Sequence, residues 1–161
     1  LDKSRNDHIR LTYHDSCNVA RASRMGDEPG GQFEIPRNVI KAVCNNYFDM
    51  PRETTHESTL CCGGGGGLLT DDLMELRKKG ASPRMTALKQ ASDDHGVTHM
   101  AAICAICKTQ FSKIMPAFGY EMDSVLSVHQ LVSNAIILTG QETDDDSDDD
   151  PENSQAEVSD E

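Results

Sequence analysis

The sequence predicts an α/β protein: a Rossmann-like parallel sheet of about four strands flanked by helices, with a disordered acidic C-terminal tail. Three observations predict it. Strand-like runs alternate with stretches of helical periodicity through residues 9–138, the order that builds a parallel sheet covered on both faces. Three of those strand-like runs end directly at cysteines, at Cys17, at Cys61-Cys62 and at Cys104. Of the 27 acidic residues, eleven fall in 141–161, where there is no Lys or Arg, leaving sixteen acids against fifteen bases in the remainder. The net charge of −12 is therefore that of a tail too polar to bury anything, attached to a nearly neutral body.

The expected organisation is a frayed segment over residues 1–8, one domain over 9–140 and the tail over 141–161. The first strand is reached within ten residues of Leu1, which reads as a piece from the C-terminal end of a longer protein. The body carries neither the basic stripe nor the aromatic platform of a nucleic-acid binder. No apolar run approaches the roughly 20 residues needed to cross a bilayer, so direct membrane insertion is not expected.

Taken in order, His8–Tyr13 alternates polar and apolar residues and reads as a strand that ends just before Cys17. Residues 20–31 read as a loop. In Ile35–Phe48 the residues Ile40, Val43, Cys44 and Tyr47 recur at helical spacing, with Pro36 in the first turn. Thr54–Leu60 reads as a second strand delivering Cys61 and Cys62. The glycine run 63–67 then opens a helix capped by Thr70, with Asp71 and Asp72 first, Arg77-Lys78-Lys79 last and Gly80 as terminator. Ser82-Pro83 starts another helix, which runs to Gly96. Val97–Ile103 is an apolar strand, followed by Cys104-x-x-Cys107 and a helix closed by Pro116. Met122–Val128 is a fourth strand, and His129–Leu138 a last helix ending at Gly140.

Parallel sheets of this kind bind ligands beyond the carboxyl ends of their strands. The cysteine loops occupy that position, so Cys17, Cys61, Cys62, Cys104 and Cys107 are candidate metal ligands. Soft thiolates select iron–sulfur clusters, zinc or copper(I). A structural zinc takes four ligands and would leave one of five thiols over. Vicinal cysteines also suit a multi-metal group better than one ion, so an iron–sulfur cluster is favoured and zinc stays open. A redox Cys-x-x-Cys leaves the vicinal pair and the glycines unexplained. A phosphate loop lacks its Lys. The sixth cysteine, Cys44, lies on an apolar helical stripe and reads as core.

The pattern Cys17…Cys61-Cys62-Gly63-Gly64…Cys104-x-x-Cys107 resembles the cysteine-rich CCG domain of the heterodisulfide reductase family over about residues 9–138. The wording Thr12-Tyr13-His14-Asp15-Ser16-Cys17 and Ala102-Ile103-Cys104-Ala105-Ile106-Cys107-Lys108 is most similar to DsrK-type subunits of DsrMKJOP complexes. The resemblance implies a noncubane [4Fe-4S] cluster held by the five cysteines and wrapped by Gly63, Gly64 and Gly65. It implies catalysis at that cluster, namely reduction or oxidation of a disulfide or trisulfide of a small DsrC-like partner in dissimilatory sulfur metabolism. It also implies membrane subunits as further partners, reached through a region not in this chain, and a cytoplasmic location on the inner face of the membrane. The alternative is a non-catalytic electron-relay or structural module. Both gaps between ligand groups are longer than the family pattern, and no cubane-cluster region accompanies them.

Several other residues have two readings. His14 is a candidate proton donor near Cys17 or a polar residue closing a strand. His129 reads as a helix cap or a site residue, and His99 as a core histidine. Lys108, Arg21 and Arg24 are ordinary surface charges or contacts for a partner.

Overall fold

The computed structural model describes residues 1–23 and 31–138. Among these, three strands form one parallel sheet in the order β1 (Leu11–His14), β2 (His99–Ala102), β3 (Val125–Ser127). Leu11 pairs with His99 and His14 with Ala102; Met100 pairs with Val125 and Ala102 with Ser127. Four α-helices cover it: α1 (Gly31–Val43), α2 (Met74–His95), α3 (Ala105–Ile114) and α4 (Val128–Ala135). Alternation along the strands divides the core. Leu11, Tyr13 and Ala101 pack with Ile40 and Val43 of α1 and Leu131 and Ala135 of α4. Met100, Ala102 and Val125 pack on the opposite face with Met85 and Leu88 of α2 and Phe111 and Ile114 of α3. Burial on both faces explains why the central strand β2 lies in a mostly apolar run, while β1 keeps its alternation with the polar Thr12 and His14 buried.

The α/β class and the all-parallel sheet are as the sequence implies; five local expectations are not met. Residues 1–8 do not fray. Lys3–Asn6 forms a 3-10 helix capped by Asp2, and buried Asn6 donates to the carbonyls of Val43 and Leu131, each at 3.0 Å. Helix α1 begins earlier and ends at Val43, after which Tyr47 bridges to Leu11 at the edge of the sheet.

The segment 54–60 is not a strand. It forms two 3-10 turns, Arg52–Thr54 and His56–Ser58. The Thr54 hydroxyl donates to the Pro51 carbonyl and the Thr55 hydroxyl to that of Arg52, and His56 has a φ of 54°. Side-chain hydroxyls that close turns on their own backbone compete with strand pairing.

The fourth difference lies in 68–96. Residues 63–70 stay irregular, and after a 3-10 turn at Asp71–Leu73 a single helix, α2, runs through both Gly80 and Pro83 to the left-handed Gly96. Gly80 lies inside the helix, where it faces the glycine loop: a Cβ there would stand 3.4 Å from the Cα of Gly63, a close but ordinary contact. Pro83 removes one backbone donor from the helix, whose continuation is secured by the buried stripe Arg77, Ala81, Arg84, Leu88 and Ala91. The last helix starts with a capping box between Ser127 and Gln130, so His129 is not the cap. Arg24, Gly140 and the acidic tail lie outside the described residues.

Candidate metal centre

Two cysteine segments leave the sheet at the same end, and a third reaches them from the turns at 52–58. Beyond β1 the chain turns tightly: the amides of Val19 and Ala20 both donate to the Ser16 carbonyl, and Cys17 sits half-buried in that turn. Beyond β2, Cys104 is the N-cap of α3 and Cys107 lies in its first turn, buried. Cys61 and Cys62 enter from the turns at 52–58, Cys61 exposed and Cys62 buried.

Cys17, Cys62, Cys104 and Cys107 line one open cavity of about 550 Å³, together with Gly65, Gly66, Asn18, Arg21 and Ile106. The topology thus gathers four of the five expected thiols from three separate stretches of chain. Cys61 lies beside them, outside the lining. Cys44 is buried on the other face of the sheet among Ile40, Val43 and Leu131. Among the described residues no three His, Cys, Asp or Glu side chains converge closely enough to share one metal ion.

The glycines have distinct tasks. The Gly63 amide donates to Cys61 Sγ at 3.2 Å and the Gly64 amide to Cys62 Sγ at 3.4 Å. Gly65 and Gly66 form part of the cavity wall. Gly63 (φ 84°) rests on α2, where a Cβ would lie 2.3 Å from the Arg77 carbonyl oxygen. Gly66, which the sequence reading left out, belongs to the site, whereas Gly63 and Gly64 act through their amides.

Cys62 and Cys107 form a thiol pair. The Cys107 thiol donates to the Cys62 sulfur, which lowers the Cys62 pKa to about 6 against its burial, with the Gly64 amide helping. The same hydrogen bond and burial push Cys107 far up. One proton is therefore shared by two sulfurs at neutral pH. The Cys62 shift is downward from the ordinary 9.0, so its stabilising effect is present above pH 9 and is lost as pH falls through about 6. Above pH 9 the raised Cys107 works in the other direction, because the unfolded chain then ionises a thiol that the fold keeps protonated. The metal-free protein is expected to gain resistance to urea between pH 6 and 9 and to lose it above. Urea midpoints across that range check this, and Cys62→Ala should flatten the profile.

A layer of buried polar side chains supports the thiols. Asp15, two residues before Cys17, is fully buried and takes a bidentate pair from Arg37, both contacts 2.7 Å. It also accepts the His56 amide at 3.0 Å, while its carbonyl accepts the Thr59 hydroxyl at 2.7 Å. Buried Arg77 donates through Nε to Gln110 Oε1 at 2.7 Å, beneath Gly63 and Gly64. Buried Arg84 donates to the Thr54 carbonyl, the Thr59 hydroxyl and Met50 Sδ. None of these residues emerged from the sequence. In the sequence Arg77 reads as part of the basic last turn of a helix; its spacing of seven from Arg84, on one stripe with Ala81 and Leu88, is the available signal of burial.

His14 ends β1, fully buried, with its ring edge-on to Phe111 at 4.9 Å. Burial, then Arg84, hold its pKa well below 6.5, so it is neutral, and it does not line the cavity. His99 is half-buried and bonds Thr98 at 2.8 Å; Lys108 bonds Gln130 Oε1 at 2.7 Å, joining α3 to α4. Arg21 is at the cavity rim.

The donor set fits an iron–sulfur group. Soft sulfurs surround a space larger than one ion, peptide amides point at two of them, and the wall there carries no Cβ. Several buried donors around the site (Ser16 Oγ, Arg77 Nη2, Arg84 Nε, Gln110 Nε2) have no hydrogen-bond partner among the described residues. Unpaired buried donors accumulate where an anionic group belongs.

Comparison with known proteins agrees with this geometry. A protein of Archaeoglobus profundus described as an "Hdr-like menaquinol oxidoreductase iron-sulfur subunit" is 42% identical over 139 residues. A protein of Archaeoglobus fulgidus described as "Hdr-like menaquinol oxidoreductase iron-sulfur subunit 2" is 40% identical over the same length. Each alignment covers 86% of this chain but 24% of the relative, so the chain spans about a quarter of those proteins. The cysteine-rich domain family, CCG, is matched over residues 11–112, from the first residue of β1 to the last turns of α3. With its thiols gathered at one end of the sheet, the chain belongs to the CCG cysteine-rich domain family.

Proposed function

We propose that this chain is the cluster-holding part of an iron–sulfur oxidoreductase subunit. The observation that carries the reading is the meeting of Cys17, Cys62, Cys104 and Cys107 around one cavity, with Gly63 and Gly64 amides on the neighbouring sulfurs. Cys61, exposed at the rim, is the fifth thiol, and the group held is a noncubane [4Fe-4S] cluster. Such a cluster, when bound, supplies one-electron chemistry at sulfur. The chain's own part is to present Cys62 as a thiolate, direct peptide N–H groups at sulfur and leave the cavity open beside Arg21 and Ile106. The substrate is a disulfide or trisulfide of a small DsrC-like protein, entering through that opening.

A second reading is favoured by the relatives' descriptions: exchange of electrons with a menaquinol system in a membrane-bound complex, with this domain as relay. Among the described residues no helix is long and apolar enough to cross a membrane, so attachment would come through partner subunits.

Anaerobic reconstitution with iron and sulfide tests the cluster. About four irons per chain are expected, lost in Cys62→Ala and Cys61→Ala and kept in Cys44→Ala. One zinc per chain without sulfide would replace the reading by a structural site. A thiol-sensitive EPR signal separates catalysis from relay, since a relay cluster should ignore added thiol.

A further inference from the structure

Arg84 is the most unusual charge in the molecule. It is fully buried in the middle of α2, and among the described residues no carboxylate lies within salt-bridge distance of it. Its partners are neutral: the Thr54 carbonyl, the Thr59 hydroxyl at 3.0 Å and Met50 Sδ at 2.9 Å. The other two buried arginines have an acid nearby, Arg37 with Asp15 at 2.7 Å and Arg77 with Asp71 at 3.5 Å. An isolated buried cation is costly and is retained where something anionic offsets it.

The position of Arg84 indicates what that is. Thr59, which it holds, lies two residues before Cys61 and donates its own hydroxyl to the carbonyl of Asp15, two residues before Cys17. One helical turn before Arg84, α2 backs directly on Gly63. The guanidinium therefore lies in the floor beneath both cysteine loops. Burial draws its own pKa down to about 10; the Asp15 carboxylate, beyond salt-bridge distance and already paired with Arg37, offsets this in part, and the field of Arg84 also reaches Cys107.

We propose that Arg84 is the fixed counter-charge of the metal centre, a positioning residue whose positive field makes the bound group easier to reduce. This rests on the iron–sulfur reading. A cluster's potential depends on the charges and hydrogen bonds around it, and a cation in a low-dielectric floor acts at longer range than one in water.

The test uses charge changes that separate field from scaffold. Arg84→Met removes the cation. Met50→Glu places a carboxylate against it while leaving its Thr54 and Thr59 partners in place, and Met50→Gln is the neutral control. Iron and sulfide are counted first, then the potential is measured by EPR-monitored redox titration. Arg84→Met and Met50→Glu should each disfavour reduction by at least tenfold in the one-electron equilibrium, about 59 mV more negative. Met50→Gln should match the wild type. If Arg84→Met does not fold, the Met50 pair alone decides. Failure of Met50→Glu to take up iron, with normal uptake by Met50→Gln, also supports the counter-charge. Potentials in the charge variants equal to that of Met50→Gln, with iron intact, overturn the inference alone. A wild-type chain that takes up no iron and sulfide overturns the iron–sulfur reading and the inference with it.

Discussion

Asp15→Asn is expected to cost the fold about 3–5 kcal/mol, the loss that follows when one member of a buried ion pair is removed. The carboxylate and its partner Arg37 are both fully buried, and the two oxygens meet two guanidinium nitrogens at 2.7 Å. After the substitution Arg37 keeps the neutral Phe33 carbonyl at 2.8 Å and one carboxylate, Asp49, at 3.0 Å and 39% exposed, which cannot offset a desolvated charge. For a domain of this size the change corresponds to a melting point lower by roughly 10–15 °C. Because both charges were buried together, Asp15→Asn with Arg37→Met should cost less than the sum of the single changes. Thermal unfolding of the four proteins, each metal-free, checks this. Asp15 also spans from the Cys17 loop to the His56 amide, so the same variant should slow iron uptake.

Gly63→Ala should be as severe. The added Cβ would stand 2.3 Å from the Arg77 carbonyl oxygen and 3.0 Å from the Ala81 nitrogen, both backbone atoms of α2 that cannot rotate away. The φ of 84° adds strain for any L side chain. A loss of about 3–5 kcal/mol is expected. The neighbouring glycines provide controls within the same loop. Gly67 (φ 83°) has nothing within 4 Å, so Gly67→Ala carries only the backbone term, about 1–2 kcal/mol. Gly65 has open space and no left-handed backbone, and Gly65→Ala should melt like the wild type. Equal melting points for Gly63→Ala and Gly65→Ala would contradict the close packing of this loop on α2.

How much of this was legible in the sequence depends on range. Local patterns read well: β1, β2 and β3 each overlap a run that reads as a strand, and Cys44 is core because it shares a helical stripe with Ile40 and Val43. The convergence of Cys17, Cys104 and Cys107 followed from parallel topology, since strands of one direction deliver their loops to one end, whereas Cys62 arrives from the turns at 52–58, which the sequence presents as a strand. The failures came where a residue's local preference was overruled by a neighbour distant in sequence. Gly80 resembles a helix terminator, yet it is a contact surface for Gly63. The β-branched residues Thr54 and Thr55 favour a strand, yet their hydroxyls close turns and the Thr54 carbonyl faces Arg84. The break expected at Gly80 places Arg77 in the last turn of one helix and Arg84 in the next, which hides their shared buried face.

The parallel sheet has one further consequence, for how the centre comes to exist. Arg10 bonds Thr98, 88 positions away, at the end of the β1–β2 pairing, and Cys104 and Cys107 lie beyond that. During synthesis Cys17, and later the vicinal pair Cys61 and Cys62, emerge before Cys104 and Cys107 exist to complete the set. Closing so long a loop is slow, and the full set of thiols is gathered only when the second strand has paired. Loading must therefore come after folding. The empty protein has to keep its shape unaided while it waits, which gives the Asp15–Arg37 pair a task before any chemistry begins.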